Sequence, residues 1–196
     1  MTSQRPARLA ILLSGRGSNM LALAEAVRHG VLQNVAEVAV VFSNDPDAPG
    51  LQAATMLGLP TASLASQGRK RAAFDQDVVA LLLGYQPDYV VLAGYMRVLS
   101  PAFVQAFAGR IVNIHPADTH QHQGLRAYEW AFDNHLAETS ITVHLVDEGL
   151  DTGPILAQQV VNLEGADTLA EVQQRGLAVE HVLYAETLAA LIKNPS

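Results

Sequence analysis

The chain is 196 residues long, 49% hydrophobic and 16% charged, which predicts one folded domain with a substantial core and excludes a disordered chain. Its formal net charge of -7 and the lack of a Lys/Arg-rich run argue against nucleic acid or an anionic membrane as a partner. The absence of cysteine excludes disulfides, thiolate metal ligands and a cysteine nucleophile.

Short apolar runs alternate with helix-like periodicity through the first half of the chain. The predicted strands are residues 9–13, 35–42, 61–64, 89–93 and 111–114, and the predicted helices are about 18–30, 51–57 and 70–83. The first apolar run is too short for a signal or membrane segment, so we expect a cytoplasmic protein. Because strands this uniformly apolar are buried on both faces, they predict a Rossmann-like α/β fold, a mostly parallel sheet flanked by helices.

The second half predicts an addition to this sheet. Residues 141–146 and 155–161 indicate two strands joined by a short, turn-rich link, which is typical of an antiparallel hairpin. A long helix follows, and Thr168 and Glu171 have the spacing of a capping box at its start. Ligands of open α/β sheets bind beyond the carboxyl ends of the strands. We therefore expect three segments to converge there: residues 14–19, 94–97 and 113–116.

Asn113, His115 and Asp151 carry the most informative chemistry. Asn113 lies in the predicted strand 111–114 and His115 follows that strand directly, whereas Asp151 comes 36 residues after His115 in a glycine-containing loop. An amide and an imidazole stabilise the oxyanion that forms when a carbonyl is attacked, and a carboxylate beside an imidazole fixes its tautomer and relays a proton. The trio predicts acyl transfer between amines without a covalent intermediate, although Asn and His before a proline also occur as ordinary loop residues. His144 is either a supporting residue of this site or a hydrogen-bonded core histidine.

A glycine-rich turn follows the first strand. Its backbone N–H groups, the start of the next helix and two hydroxyls suit one phosphate group. The turn lacks the Gly-Lys-Ser/Thr of a Walker loop and the third glycine of the dinucleotide fingerprint. The alternative is a tight turn with an Asn or Ser cap. The candidate phosphate-binding residues are Gly15, Arg16, Gly17, Ser18 and Asn19.

Residues 94–101 follow another predicted strand and combine an aromatic ring, a methionine and an arginine. Tyr95, Met96 and Arg97 suit a flat heterocycle that carries a carboxylate tail. The alternative is an amphipathic connection with Arg97 in water. Arg71, near the start of a helix, is a second candidate partner for a carboxylate.

Two other classes of function stay open from the residues alone. His115, Asp118, His120 and His122 are candidate ligands of a metal-dependent hydrolase, although two histidines in a loop without Cys or Glu are more typical of a solvated loop. We therefore expect no metal. The glycine-rich turn also fits a non-catalytic nucleotide-binding module.

Taken together, these motifs resemble the glycinamide ribonucleotide (phosphoribosylglycinamide) formyltransferase family, folate-dependent enzymes of purine biosynthesis. The matching segments, in the family's order, are Ile11–Asn19, Val90–Pro101, Ile111–Pro116 and Thr142–Pro154. The resemblance implies the formyltransferase fold in a single domain (1–196), with a phosphate-binding half (8–100) and a catalytic and folate-binding half (101–196). It implies transfer of the formyl group of 10-formyltetrahydrofolate to the amine of glycinamide ribonucleotide. We expect a monomer or homodimer.

The resemblance also implies roles for individual residues. Asn113, His115 and Asp151 match the family's catalytic Asn, His and Asp. The turn at residues 15–19 matches its substrate-phosphate loop, and Glu180 matches a carboxylate that holds the ribose hydroxyls. The residues that match the folate side are Arg71, Met96, Arg97, Val98, Leu99, Asn113, Val146, Asp147, Glu148 and Asp151.

The chain departs from the family pattern directly after His-Pro. The family usually continues with Ser/Ala-Leu-Leu-Pro and then a Gly, whereas this chain has Ala117-Asp118-Thr119-His120-Gln121-His122-Gln123-Gly124. Two related classes are weaker alternatives. Methionyl-tRNA formyltransferases carry an additional C-terminal domain and lack the glycine-rich loop, and formyltetrahydrofolate hydrolases add an N-terminal regulatory domain.

Overall fold

The computed structural model describes residues 5–194 and, within them, one seven-stranded sheet with six helices. The strands are β1 (Ala7–Leu13), β2 (Ala36–Ser43), β3 (Thr61–Ser63), β4 (Tyr89–Leu92), β5 (Ile111–His115), β6 (Glu138–Leu145) and β7 (Ile155–Asn162). The helices are α1 (Ser18–His29), α2 (Pro49–Met56), α3 (Arg71–Gly84), α4 (Pro101–Ala106), α5 (Ala127–Asp133) and α6 (Leu169–Lys193). In this described part of the chain, no helix has the length and apolar character needed to cross a membrane.

The sheet has the strand order β3-β2-β1-β4-β5-β6-β7. The first five strands of this order, β3, β2, β1, β4 and β5, pair with their neighbours in parallel. Strand β6 is antiparallel to both β5 and β7. This confirms the predicted mostly parallel sheet with an antiparallel hairpin. From β1 the chain moves first to β2 on one side and then to β4 on the other, so the crossovers change direction between β1 and β4. Ligands of open α/β sheets bind at such a point.

Alternate residues of β1 face two hydrophobic layers. Leu9, Ile11 and Leu13 pack in the layer that contains side chains of α1, α2, α5 and α6. Ala10 and Leu12 pack in the layer formed with α3 and α4. All five side chains are fully buried. Helices therefore cover both faces of the sheet, as the uniformly apolar strands predict.

The sequence pattern predicts neither α4 nor α5. These helices have six and seven residues, so neither is long enough to show a clear helical repeat. Helix α4 starts at Pro101, which directly follows the N-cap residue Ser100. The hydroxyl of Ser100 accepts the N–H of Phe103. The predicted capping box of α6 is confirmed, since the Thr168 and Glu171 side chains each accept the other's backbone N–H.

Helix α6 is tied to the centre of the sheet through Tyr184. Its side chain is fully buried, and its hydroxyl oxygen lies 2.9 Å from the carbonyl oxygens of Leu92 and Val112. Those carbonyls belong to the neighbouring strands β4 and β5. Tyr184 therefore fixes α6 against the two strands whose carboxyl ends carry the candidate site.

Candidate active site

Strands β5 and β6 place three polar side chains together. Asn113 and His144 are opposite each other in the antiparallel register, with Asn113 Nδ2 3.3 Å from His144 Nε2. His115 lies two residues further along β5, on the same face. The last residue of β4, Leu92, pairs with Asn113, so β5 continues past its neighbour and His115 stands beyond the end of β4. His115 is nevertheless buried.

Asp151 joins these residues from the loop between β6 and β7. Its Oδ1 lies 3.4 Å from Asn113 Nδ2 and 3.5 Å from His144 Nε2. Its Oδ2 accepts the N–H of Gly124 at 2.8 Å and lies 3.6 Å from His115 Nδ1. The backbone of Asp151 is left-handed, with φ of 52°, which costs a residue other than glycine on the order of 1 kcal/mol. The structure thus brings the predicted trio and His144 into one cluster.

The surroundings shift the pKa values of His115 and Asp151. Burial lowers the pKa of His115, and the negative charge of Asp151 opposes that shift only in part. Burial raises the pKa of Asp151, but the adjacent His144 imidazole, the N–H of Gly124 and the charge of His115 lower it overall. Near neutral pH the site therefore holds a neutral imidazole beside an ionised carboxylate.

The loop 117–124, which departs from the family pattern, determines which nitrogen of the His115 ring carries the proton. His115 Nε2 lies 3.0 Å from the carbonyl oxygen of His122, so Nε2 donates and the neutral ring is protonated there. Nδ1 then faces Asp151 with a lone pair, which agrees with a separation longer than a hydrogen bond. The His122 ring stacks between His115 and Trp130, with centroid distances of 6.2 and 4.8 Å. The sequence gives no signal for this stack.

The cluster forms one wall of a cavity of about 370 Å³, a size typical of small-molecule sites. Residues 94–99 and 146–152 form other walls. Met96 and Val98 are 62% and 56% exposed, so they present apolar surface to a ligand. The predicted folate-side residues that line the cavity are Met96, Arg97, Val98, Leu99, Asn113, Val146, Asp147, Glu148 and Asp151. Arg71, the first residue of α3, is exposed and is not part of this lining.

The glycine-rich turn joins β1 to α1 beside the cavity. Gly17 has φ of 76° and is the N-cap of α1 without a side-chain hydrogen bond, so the first N–H groups of the helix lack a side-chain cap. A Cβ on Gly17 would lie 2.8 Å from the Cα of Gly50, and the N–H of Gly50 donates to the carbonyl of Gly15. Helix α2 therefore supports the turn from behind. The hydroxyl of Ser14 accepts the N–H of Met96 at 2.8 Å, which links the turn to the cavity wall.

Glu180 of helix α6 is buried, and its contact with Asn19 at the start of α1 places it next to the glycine-rich turn. Its Oε2 accepts from Asn19 Nδ2 at 2.6 Å, and its Oε1 accepts from the hydroxyl of Tyr128. Burial and the nearby carboxylate raise the pKa of Tyr128, so the phenol keeps its proton and donates it. A Cβ on Gly176 would lie 2.2 Å from the Tyr128 ring, so this glycine leaves room for it. Tyr128 lies on the short helix α5, which the sequence does not predict.

The residues considered for a metal site have other partners. Asp118 accepts the N–H of His120 at 2.9 Å and so closes a turn, and His122 Nε2 lies 3.1 Å from the carbonyl oxygen of Leu125. Between residues 5 and 194, no group of three or more His, Asp or Glu side chains is arranged to hold a metal ion.

Comparison with known proteins gives consistent results over most of the chain. The sequence profile of the formyl transferase family matches residues 7–188. The phosphoribosylglycinamide formyltransferase of Escherichia coli K12 is 38% identical over 177 residues, which are 90% of this chain and 82% of that protein. The trifunctional purine biosynthetic protein adenosine-3 of Drosophila melanogaster is 39% identical over 98% of this chain, which spans 14% of that protein's length. A crystal structure of phosphoribosylglycinamide formyltransferase from Bacillus halodurans superposes with a TM-score of 0.90 at 39% identity, over 96% of this chain and 97% of the other.

Proposed function

Since the chain belongs to the formyl transferase family and is a formyltransferase, we propose that its reaction is the one named for its bacterial relatives. In this reaction the formyl group of 10-formyltetrahydrofolate passes to the amine of glycinamide ribonucleotide, a step of purine biosynthesis. The observation that carries the proposal is the cluster of Asn113, His115 and Asp151 on the cavity wall. It combines hydrogen-bond donors with a carboxylate beside a space that fits a small molecule.

The two substrates are assigned to opposite sides of this cluster. The cavity, with apolar Met96 and Val98 and the charged Arg97, takes the folate. The uncapped start of α1 at Gly17 takes the phosphate of the ribonucleotide, because the N–H groups at a helix start favour an anion. Glu180, bonded to the same end of α1, is the candidate acceptor for ribose hydroxyls.

The chemistry follows from the donors that the cluster offers. The neutral amine of the ribonucleotide attacks the formyl carbon, a C–N bond forms, and the carbonyl oxygen becomes an oxyanion. His115 Nε2–H and the Asn113 amide stabilise this oxyanion, exchanging their present partners for it. The bond between the formyl carbon and N10 of the folate then breaks, while a proton moves from the attacking nitrogen to N10. That proton passes through water and His115 Nδ1 on its way to N10, and Asp151 stabilises the imidazolium while the ring holds the proton.

One mixing experiment tests the proposal. Purified protein with glycinamide ribonucleotide and 10-formyltetrahydrofolate is expected to give formylglycinamide ribonucleotide and tetrahydrofolate in equal amounts. His115→Ala and Asn113→Ala are each expected to reduce kcat by about 10²–10³. The Escherichia coli relative serves as the positive control.

Other products would contradict the proposal in informative ways. Formate released without ribonucleotide would identify a formyltetrahydrofolate hydrolase. Activity that is lost to chelators and restored by zinc would favour the metal-dependent hydrolase. Binding of both substrates without transfer would leave a nucleotide-binding module, and near-normal turnover of His115→Ala would refute its catalytic role.

A further inference from the structure

A buried polar cluster lies behind the cavity wall formed by residues 94–99. Asp75 of α3 is 1% exposed and Tyr95 is 8% exposed. Among residues 5–194, three buried side-chain atoms of this cluster find no hydrogen-bond partner: Asp75 Oδ1, the Tyr95 hydroxyl and Arg97 Nε. The phenol and the guanidinium nitrogen are donors, and the carboxylate oxygen is an acceptor. The unused donors and the unused acceptor therefore match.

Separate contacts hold these three residues in the same region. Asp75 Oδ2 accepts the N–H of Ser100 at 2.6 Å, which ties the end of the wall segment to α3. The Arg97 guanidinium lies 4.6 Å from the ring centroid of Phe74, the residue before Asp75. Burial raises the pKa of Tyr95, the charge of Asp75 raises it further, and Arg97 opposes both. Asp75 is thus close to three parts of the segment 94–100: Tyr95 near its start, Arg97 in its middle and Ser100 at its end.

We infer that Asp75 is a positioning residue for the folate side of the site, a role that rests on the proposed function. Its free oxygen gathers the Tyr95 hydroxyl and Arg97 Nε through a bridging water, while its other oxygen holds Ser100. Leaving these buried atoms unpaired is unfavourable, so the contacts fix the course of residues 94–100. Arg97 also lines the cavity. Holding its Nε inward leaves its terminal nitrogens for a carboxylate of the folate.

Asp75→Asn tests this role because it keeps the size of the side chain and an acceptor for Ser100, but removes the charge. We expect the KM for 10-formyltetrahydrofolate to rise about tenfold, as for loss of one charge-assisted contact. We expect kcat and the KM for glycinamide ribonucleotide to stay within about twofold, since Asp75 does not touch the cluster at His115. Asp77→Asn is the matched control, because Asp77 is an exposed carboxylate of the same helix that pairs with Arg69 at 2.5 Å.

A second variant separates positioning from a general effect on folding. Tyr95→Phe removes only the hydroxyl, and its rise in folate KM, about threefold, should be less than additive with that of Asp75→Asn. Additive effects, an equal rise of both KM values, or a lower Tm with both KM values unchanged would overturn the inference. If Asp75→Asn does not fold, the folate KM of Tyr95→Phe decides alone. If the wild type transfers no formyl group, the proposed function fails, and calorimetric binding of tetrahydrofolate to the same variants still tests Asp75.

Discussion

Replacing Asp151 with asparagine should nearly abolish turnover while leaving the fold intact. Asparagine keeps the shape of the side chain and one oxygen for the N–H of Gly124, which Asp151 accepts at 2.8 Å. It removes the negative charge that faces both His115 Nδ1 and His144 Nε2. The variant therefore isolates the electrostatic part of the role of Asp151.

The distance between Asp151 and His115 sets the expected magnitude. For an imidazole that becomes positive 3.6 Å from the carboxylate oxygen, an effective dielectric constant of about 20 gives a Coulomb energy of about 5 kcal/mol. Desolvation offsets part of this energy, since burial is the largest influence on the pKa of His115. A remainder of about 3–4 kcal/mol corresponds to a loss of about 10²–10³ in kcat.

The assay is the initial rate of formylglycinamide ribonucleotide formation with both substrates saturating. The KM for each substrate should change little, because the interaction strengthens as charge develops in the transition state. Asp77→Asn, an exposed charge change away from the cavity, is the control. A folded Asp151→Asn protein that keeps kcat within about tenfold of wild type would refute the electrostatic reasoning.

Three further variants test other parts of the site. Gly17→Ala should raise the KM for the ribonucleotide and lower the free energy of unfolding by about 1–3 kcal/mol, because the φ of Gly17 is 76° and the new Cβ would lie 2.8 Å from the Cα of Gly50. Gly15→Ala is the control for stability, since a Cβ at Gly15 would meet no described atom within 4 Å. Equal shifts in Tm for the two variants would contradict this expectation. His122→Ala removes the stacked ring but keeps the carbonyl that accepts from His115, so stability should fall by about 1 kcal/mol and kcat by less than about tenfold; a fall as large as that of His115→Ala would show that the His122 ring takes part in the chemistry. Burial lowers the pKa of His115 in the folded protein. As the pH decreases, the unfolded chain therefore protonates this histidine near pH 6.5, before the folded protein does. The free energy of unfolding should thus fall as the pH drops from about 6.5 towards the lower pKa of the folded state. Calorimetric Tm values of His115→Gln should decrease less over that interval, and parallel curves for the two proteins would argue against a buried neutral His115.

The periodicity of the strands predicts that Asn113 and His115 lie together at one edge of the sheet, and the structure places them there. Asn113 and His115 are two residues apart on β5, so a strand places both on one face, and the end of a parallel strand places them at the ligand-binding edge. The glycine-rich turn reaches the same edge because it follows β1, the neighbour of β4. Local patterns were informative here because each strand brings its own end to the site.

Contacts between distant segments could not be read from the sequence. Gly50 supports Gly17 across 33 positions, and nothing in the pattern around α2 marks it as a partner of the turn. Tyr128 and Trp130 lie on α5, whose seven residues are too few to reveal a buried face. The predicted folate role of Arg71 stays a prediction, because its exposed side chain lies outside the cavity lining.

Glu180 and Tyr184 lie one turn apart on α6, and together they connect the start of α1 with strands β4 and β5. Glu180 holds Asn19 at the start of α1, and the Tyr184 hydroxyl bonds to the carbonyls of Leu92 and Val112. Local opening of this stretch of α6 would release both ends at once. The amides of α1 and β5 should therefore exchange hydrogen for deuterium with one shared free energy of opening, as a single cooperative unit.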